Sequence, residues 1–109
     1  MLKRNKMVIK QLKFKDLDGL LEWHDNQVFD IHLQTFKCLK NEWDKNQKTS
    51  DIDIFKIDFE DDEEYDNIIL TLYSKEWNKA LELGLEYFIE QEEYEICSQI
   101  KNLLTKIKK

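Results

Sequence analysis

The sequence predicts an α+β fold, a small antiparallel sheet packed against a C-terminal two-helix hairpin. Three observations carry this expectation. Ile52 to Phe59 reads I-D-I-F-K-I-D-F and Ile68 to Tyr73 reads I-I-L-T-L-Y, both with strand-like alternation. From Ser74 onward the apolar residues recur at three and four positions, which is the helical period. At 109 residues the chain is long enough for one hydrophobic core and short for two. A single domain over residues 1–109 follows, with strands and a short helix over 1–73 and the hairpin over 74–109.

The first 15 residues hold six bases (Lys3, Arg4, Lys6, Lys10, Lys13, Lys15) and no acid, and Leu12 and Phe14 alternate with Lys13 and Lys15. Met7 to Phe14 is therefore expected to be a strand. Asp16 is suited to cap a short helix through Leu17, Leu20, Leu21 and Trp23, which Gly19 weakens modestly. His24-Asp25-Asn26 reads as a turn. In the next stretch Phe29, Ile31 and Leu33 alternate with Asp30 and His32, although Phe29, Leu33, Phe36 and Trp43 also nearly share a helical face. The alternation favours a strand from Gln27 to Thr35, followed by an irregular or helical piece.

Asp44 to Asp51 lacks any apolar residue and reads as a surface loop. In the two strands that follow, Phe55, Ile57 and Phe59 should share one side, and so should Ile68, Leu70 and Leu72. They are joined by Glu60-Asp61-Asp62-Glu63-Glu64-Tyr65-Asp66, too long and too charged for a two-residue turn. In the hairpin, Ser74 is the expected N-cap of a helix carrying Trp77, Leu81, Gly84, Leu85 and Phe88. The chain reverses over Glu90 to Glu93, and Ile96, Ile100, Leu103 and Ile107 mark the second helix. Its acidic start and its Lys101, Lys106, Lys108 and Lys109 suit the helix dipole.

Composition narrows the function classes. With 41% hydrophobic residues and 13 aromatic rings (three Trp, four Tyr, six Phe) the chain has enough apolar area to fold. A net charge of -6 makes it a poor binder of nucleic-acid backbones and anionic membranes and favours basic protein partners. Met1 to Lys10 fits no secretory signal, and the longest apolar tract is about six residues against the roughly 20 that a bilayer-spanning helix needs. A cytoplasmic protein with reduced Cys38 and Cys97 is expected. Richness in Lys, Glu, Asn and Ile points to an AT-rich genome, that of a bacterium or a virus infecting one.

Recognisable catalytic frameworks do not emerge. Gly19 and Gly84 are too few and too far apart to build a phosphate-cradling loop. There is no His-Glu-x-x-His and no closely spaced cysteine pair, so the usual zinc frameworks are missing. His24 and His32 are eight positions apart, about 12 Å along a helix, too far to chelate one ion. No lysine has an acid two positions earlier, which removes one common nuclease signature, and Asp58 to Asp62 has no central glycine for an EF-hand loop. The expectation is a protein with no catalytic residues, no cofactor and no metal.

Residues 51 to 66 carry nine acids against Lys56, and residues 82 to 95 add six acids and no base. Such a field resembles a phosphate backbone and would attract a groove lined by Arg or Lys. The partner-binding set read from the sequence is therefore Glu60, Asp61, Asp62, Glu63, Glu64, Tyr65 and Asp66, with Tyr65 the aromatic anchor and Phe59 in the core.

The segment from Leu85 to Asn102 resembles the UVR motif, a helical hairpin of bacterial excision-repair proteins and Clp-protease adaptors. The resemblance rests on an acid before Tyr94-Glu95, a small residue at Cys97, and apolar and basic residues at Ile100 and Lys101. It covers about a sixth of the chain, and Cys97 and Ser98 stand where the motif usually has alanines. It implies a role in protein–protein contact. Together these features predict a non-enzymatic binding domain, a small acidic inhibitor of the anti-CRISPR-like kind carried by phages and mobile elements, seated in a basic nucleic-acid-binding groove. The alternative is a structural or adaptor subunit that docks through its hairpin on a partner or, as a homodimer, on itself.

Overall fold

The structure of the chain, a computed structural model, describes residues 10–60 and 68–108. The order is β1 (Lys10–Phe14), α1 (Leu17–Asn26), α2 (Val28–Asn46), β2 (Ile52–Phe59), β3 (Ile68–Leu72), a 3-10 turn (Ser74–Glu76), α3 (Trp77–Glu90) and α4 (Tyr94–Lys108). This is the expected α+β architecture, a three-stranded sheet with a C-terminal helical hairpin packed against it. No helix among the described residues is long and apolar enough to cross a membrane.

The sheet has the order β1-β2-β3. β2 and β3 pair antiparallel, as the alternation predicts, whereas β1 joins β2 in parallel, so the sheet is mixed rather than wholly antiparallel. The parallel pairing is made by a crossover through α1 and α2, the helical connection that two parallel neighbours require. Lys10, Leu12 and Phe14 stand opposite Phe55, Ile57 and Phe59, and Leu70 and Ile68 stand opposite Phe55 and Ile57 on the same face. A register shift between Asp53 and Phe55 lets Ile54 and Phe55 both be buried, at 5% and 4% exposure.

The expected strand at Gln27 to Thr35 is instead the first half of α2. The helix is buried on two opposite sides, which blurs its period. Ile31 and Cys38 pack with Ile54, Phe55, Ile57 and Phe59, and Gln34 Nε2 donates to the Ile54 carbonyl at 3.3 Å. Phe29, Leu33, Phe36 and Trp43, about half a helical turn around, pack with Trp77, Leu81, Phe88 and Ile100. α2 therefore lies between the sheet and the hairpin, and the hairpin reaches the sheet directly at Ile52 and Leu72. The apolar residues so split read as alternation.

Other corrections are local. The expected turn at His24-Asp25-Asn26 belongs to α1, and the direction changes one residue later at Gln27, which ends α1 and begins α2. α2 runs through Asn46, so the polar loop before β2 is shorter than Asp44 to Asp51. Ser74 does not cap α3, because the 3-10 turn Ser74–Glu76 comes first and leaves Glu76 at the helix start; the Ser74 N–H donates to Asp51 Oδ1 at 2.8 Å. Of the expected strand Met7 to Phe14, Met7, Val8 and Ile9 lie outside the described residues.

Asp16 caps α1 as expected, with Oδ1 accepting from the Gly19 N–H at 3.0 Å. The helix has no fully buried residue, so its ends matter more than its packing. Asp16→Ala is expected to destabilise the protein by about 1 kcal/mol. Asp16→Asn should retain most of that stability, and equal losses from the two variants in urea unfolding would overturn the capping account.

Candidate functional site

Of the seven residues that the sequence singles out for partner binding, Asp61, Asp62, Glu63, Glu64, Tyr65 and Asp66 lie outside the described residues. Glu60 is exposed, and its backbone N–H donates to the Phe14 carbonyl at 2.9 Å, tying the exit of β2 to the end of β1. Phe59, expected in the core, is 6% exposed.

The second acidic segment is described in full. Glu82, Glu86, Glu90, Glu92, Glu93 and Glu95 are all exposed, on the outer side of α3, in the turn and at the start of α4. The turn is built by backbone hydrogen bonds, from Glu92 N–H to the Ile89 carbonyl at 3.0 Å and from Glu93 N–H to the Phe88 carbonyl at 2.9 Å. This pair of bonds is the Schellman closure of a helix, and it places Glu92 in the left-handed region with φ of 59°. Glycine is the usual occupant of that position because it has no Cβ to crowd the carbonyl. Here a glutamate holds it, next to Glu93.

Apolar groups stand among these charges. Tyr94 is 65% exposed and Ile89 47% exposed, on either side of the turn. The sequence reading placed its aromatic anchor in the β2–β3 loop and passed over Tyr94, whose flanking Glu93 and Glu95 were the available signal. Behind the turn, Tyr87 stacks on His32 with ring centroids 4.8 Å apart, and Phe88 meets Phe29 edge-on at 5.2 Å. Burial holds the His32 imidazole below its ordinary pKa, which favours its neutral form in this apolar wall. Gly84 lies against it, since a Cβ there would sit 3.7 Å from His32 Nδ1. His24, in contrast, is exposed beside Asp25 at 3.5 Å.

Glu60 and the acids of the α3–α4 turn lie toward one end of the molecule. α2 runs antiparallel to β2, with Ser50 Oγ donating to Glu42 Oε2 at 2.9 Å near one end and Gln34 bonded to Ile54 in the middle. α2 also runs antiparallel to α3, since Phe29 meets Phe88 near one end while Trp77 Nε1 donates to the Ser50 carbonyl beyond the other. The end of β2 carrying Glu60 and the turn from Glu90 to Glu95 therefore both lie at the N-terminal end of α2. The opposite end mixes lysines with acids such as Glu42, Asp44 and Asp51. Lys101, Lys106 and Lys108 occupy the last part of α4, and Lys106 joins Trp43, Asp44 and Gln47 around an open cleft of about 350 Å³. Nearby, Lys40 is bonded to Asp44 at 2.8 Å.

Among the described residues no three of the His, Cys, Asp and Glu side chains are grouped to hold a metal ion. Comparison with protein-family models, with curated proteins and with solved structures finds no match for this chain.

Proposed function

We propose that this chain is a non-enzymatic binding domain whose acidic residues, those from Glu60 to Asp66 in sequence and those of the α3–α4 turn, bind a basic nucleic-acid-binding groove on another protein and inhibit it. The observation that carries this reading is Glu92. Its carboxylate sits at a left-handed position, the conformation Gln47 also takes at the end of α2, and stands with Glu90, Glu93 and Glu95 between exposed Ile89 and Tyr94. Carboxylates with interleaved apolar anchors are what a basic groove recognises, charge steering the encounter and the anchors holding it. The resemblance of residues 85–102 to a contact-making hairpin points the same way, and the small acidic chain suits an anti-CRISPR-like inhibitor.

The test is affinity capture from a bacterial lysate at low and high salt, using the wild-type chain and a variant with Glu90, Glu92, Glu93 and Glu95 all changed to Gln. The expected result is a nucleic-acid-binding protein retained at low salt, released by salt or by added duplex DNA, and held at least about tenfold less well by the variant. Glu92→Gly should separate the two roles of that residue, raising stability by about 1 kcal/mol while weakening capture. Equal retention by the neutralised variant and the wild type would overturn the proposal.

A second reading, an assembly or adaptor subunit docking through the hairpin, draws on the exposure of Leu83, Ile89 and Tyr94 along α3 and α4. Capture that resists salt and is lost in Tyr94→Ala would favour it.

A further inference from the structure

The two edges of the sheet are finished differently. β1 carries exposed Lys10 and Lys13 on its five residues, the kind of charge that keeps a free edge from pairing with another chain. β3 is Ile68-Ile69-Leu70-Thr71-Leu72, without a charge, a proline or a glycine, and no described strand pairs with its outer edge. Ile69 is 48% and Leu70 47% exposed. Trp23 of α1 and Ile31 and Cys38 of α2 pack on the face that carries Phe55, and Leu70 stands opposite Phe55 on that same face yet stays half open.

We infer that β3 is the docking edge for a second copy of this chain, pairing antiparallel with its twin about a two-fold axis at Leu70 to join two three-stranded sheets into one. The strand is self-complementary about that point. The axis sets Leu70 against Leu70, Ile68 against Leu72 and Ile69 against Thr71, and it uses all five residues. Ile68, Leu70 and Leu72 share the core-facing side, so the pairing sets apolar against apolar there and extends the hydrophobic face under a continuous sheet. The copies each carry a charge of -6, yet the strand contributes none of it. The neighbouring carboxylate of Asp53 lies one strand inward, accepting from Thr71 Oγ1 at 2.7 Å. Five paired residues a side make a small interface, so the dimer should form reversibly in the micromolar range.

Cysteine placed on the axis reads the register. Across an antiparallel pair the two Leu70 Cα atoms would stand about 4.5–5.5 Å apart, inside the range a disulfide spans, whereas residue 69 and its twin would be offset beyond about 7 Å. Cys38 and Cys97, at 1% and 4% exposure, stay silent under mild oxidation. Leu70→Cys treated with diamide is expected to give covalent dimer and Ile69→Cys to give none. In sedimentation the wild type should dimerise with rising concentration, and Leu70→Lys, which sets two ammonium groups face to face, should be a monomer with unchanged helical circular dichroism. A wild type that stays monomeric at high micromolar concentration, a folded Leu70→Lys dimer, or Ile69→Cys cross-linking as readily as Leu70→Cys would each overturn the inference.

Discussion

Replacing Trp77 by alanine is expected to destabilise the protein by about 3–5 kcal/mol, a large part of the roughly 5–15 kcal/mol that holds a typical domain together. Trp77 is fully buried where α3 begins, in the cluster that contains Phe36, Leu39, Leu81 and Ile100. Its indole Nε1 donates to the Ser50 carbonyl at 2.8 Å, tying the segment between α2 and β2 to the start of the hairpin. Alanine would leave a cavity among those side chains and an unpaired carbonyl beside it. Trp77→Phe separates the two terms, since it keeps an aromatic ring and loses the donor, and should cost about 1–2 kcal/mol. Urea unfolding followed by circular dichroism measures both variants, and the midpoint should fall with little change in slope. Equal losses from the two would mean that packing around the ring contributes little.

The thiols should be silent in the folded protein. Cys38 is 1% exposed, accepts from Gln34 Nε2 at 3.4 Å, and is pushed up to about 11 by burial. Relative to a thiol of pKa 9.0, that shift lowers the reactive thiolate roughly 100-fold near pH 8, before any loss of access is counted. Cys97 is buried in the other cluster, and neither residue is disulfide-bonded. In native buffer at pH 8, Ellman's reagent should therefore label neither cysteine over an hour, and in urea it should label both at once. Because Cys38 packs with the sheet and Cys97 with the hairpin, their labelling rates report the opening of either side of α2 separately. Rapid stoichiometric labelling without denaturant would contradict the burial of both.

Legibility in the sequence followed how many sides of an element are buried. The alternation of β2 and β3 predicts both strands, their antiparallel pairing and the burial of Phe55, Ile57 and Phe59, although the register shift also buries Ile54 and Leu70 stays half exposed. α3 and α4 have one buried stripe, Trp77, Leu81 and Phe88 on one and Cys97, Ile100 and Leu104 on the other, and their period is plain. α2 is covered on two sides, so Phe29, Ile31 and Leu33 imitate a strand although Ile31 faces the sheet and the other two the hairpin. The parallel placement of β1 was hidden for a different reason. No local pattern in Lys10 to Phe14 tells which way its partner runs, and the antiparallel expectation put a strand at Gln27 to Thr35 where α2 instead completes the crossover. At the candidate site the charge was legible and its shape was not, because the left-handed turn at Glu92 carries no glycine to announce it.

That parallel pairing bears on the order in which the molecule assembles. Lys10 and Phe55 are 45 positions apart, while Ile57 and Ile68 are 11 apart, so closing the first gap costs about 1 kcal/mol more chain entropy than closing the second. The β2–β3 ribbon can form locally, and the α3–α4 hairpin needs only its own short turn. β1 has no adjacent partner in sequence and must wait until α1 and α2 have turned the chain back on itself. The segment synthesised early is thus among the last to dock, and until it does the edge of β2 stands unpaired beside Phe55 and Ile57. The lysines of β1 keep that late strand in solution while it waits, and afterwards close the sheet on that side against other chains.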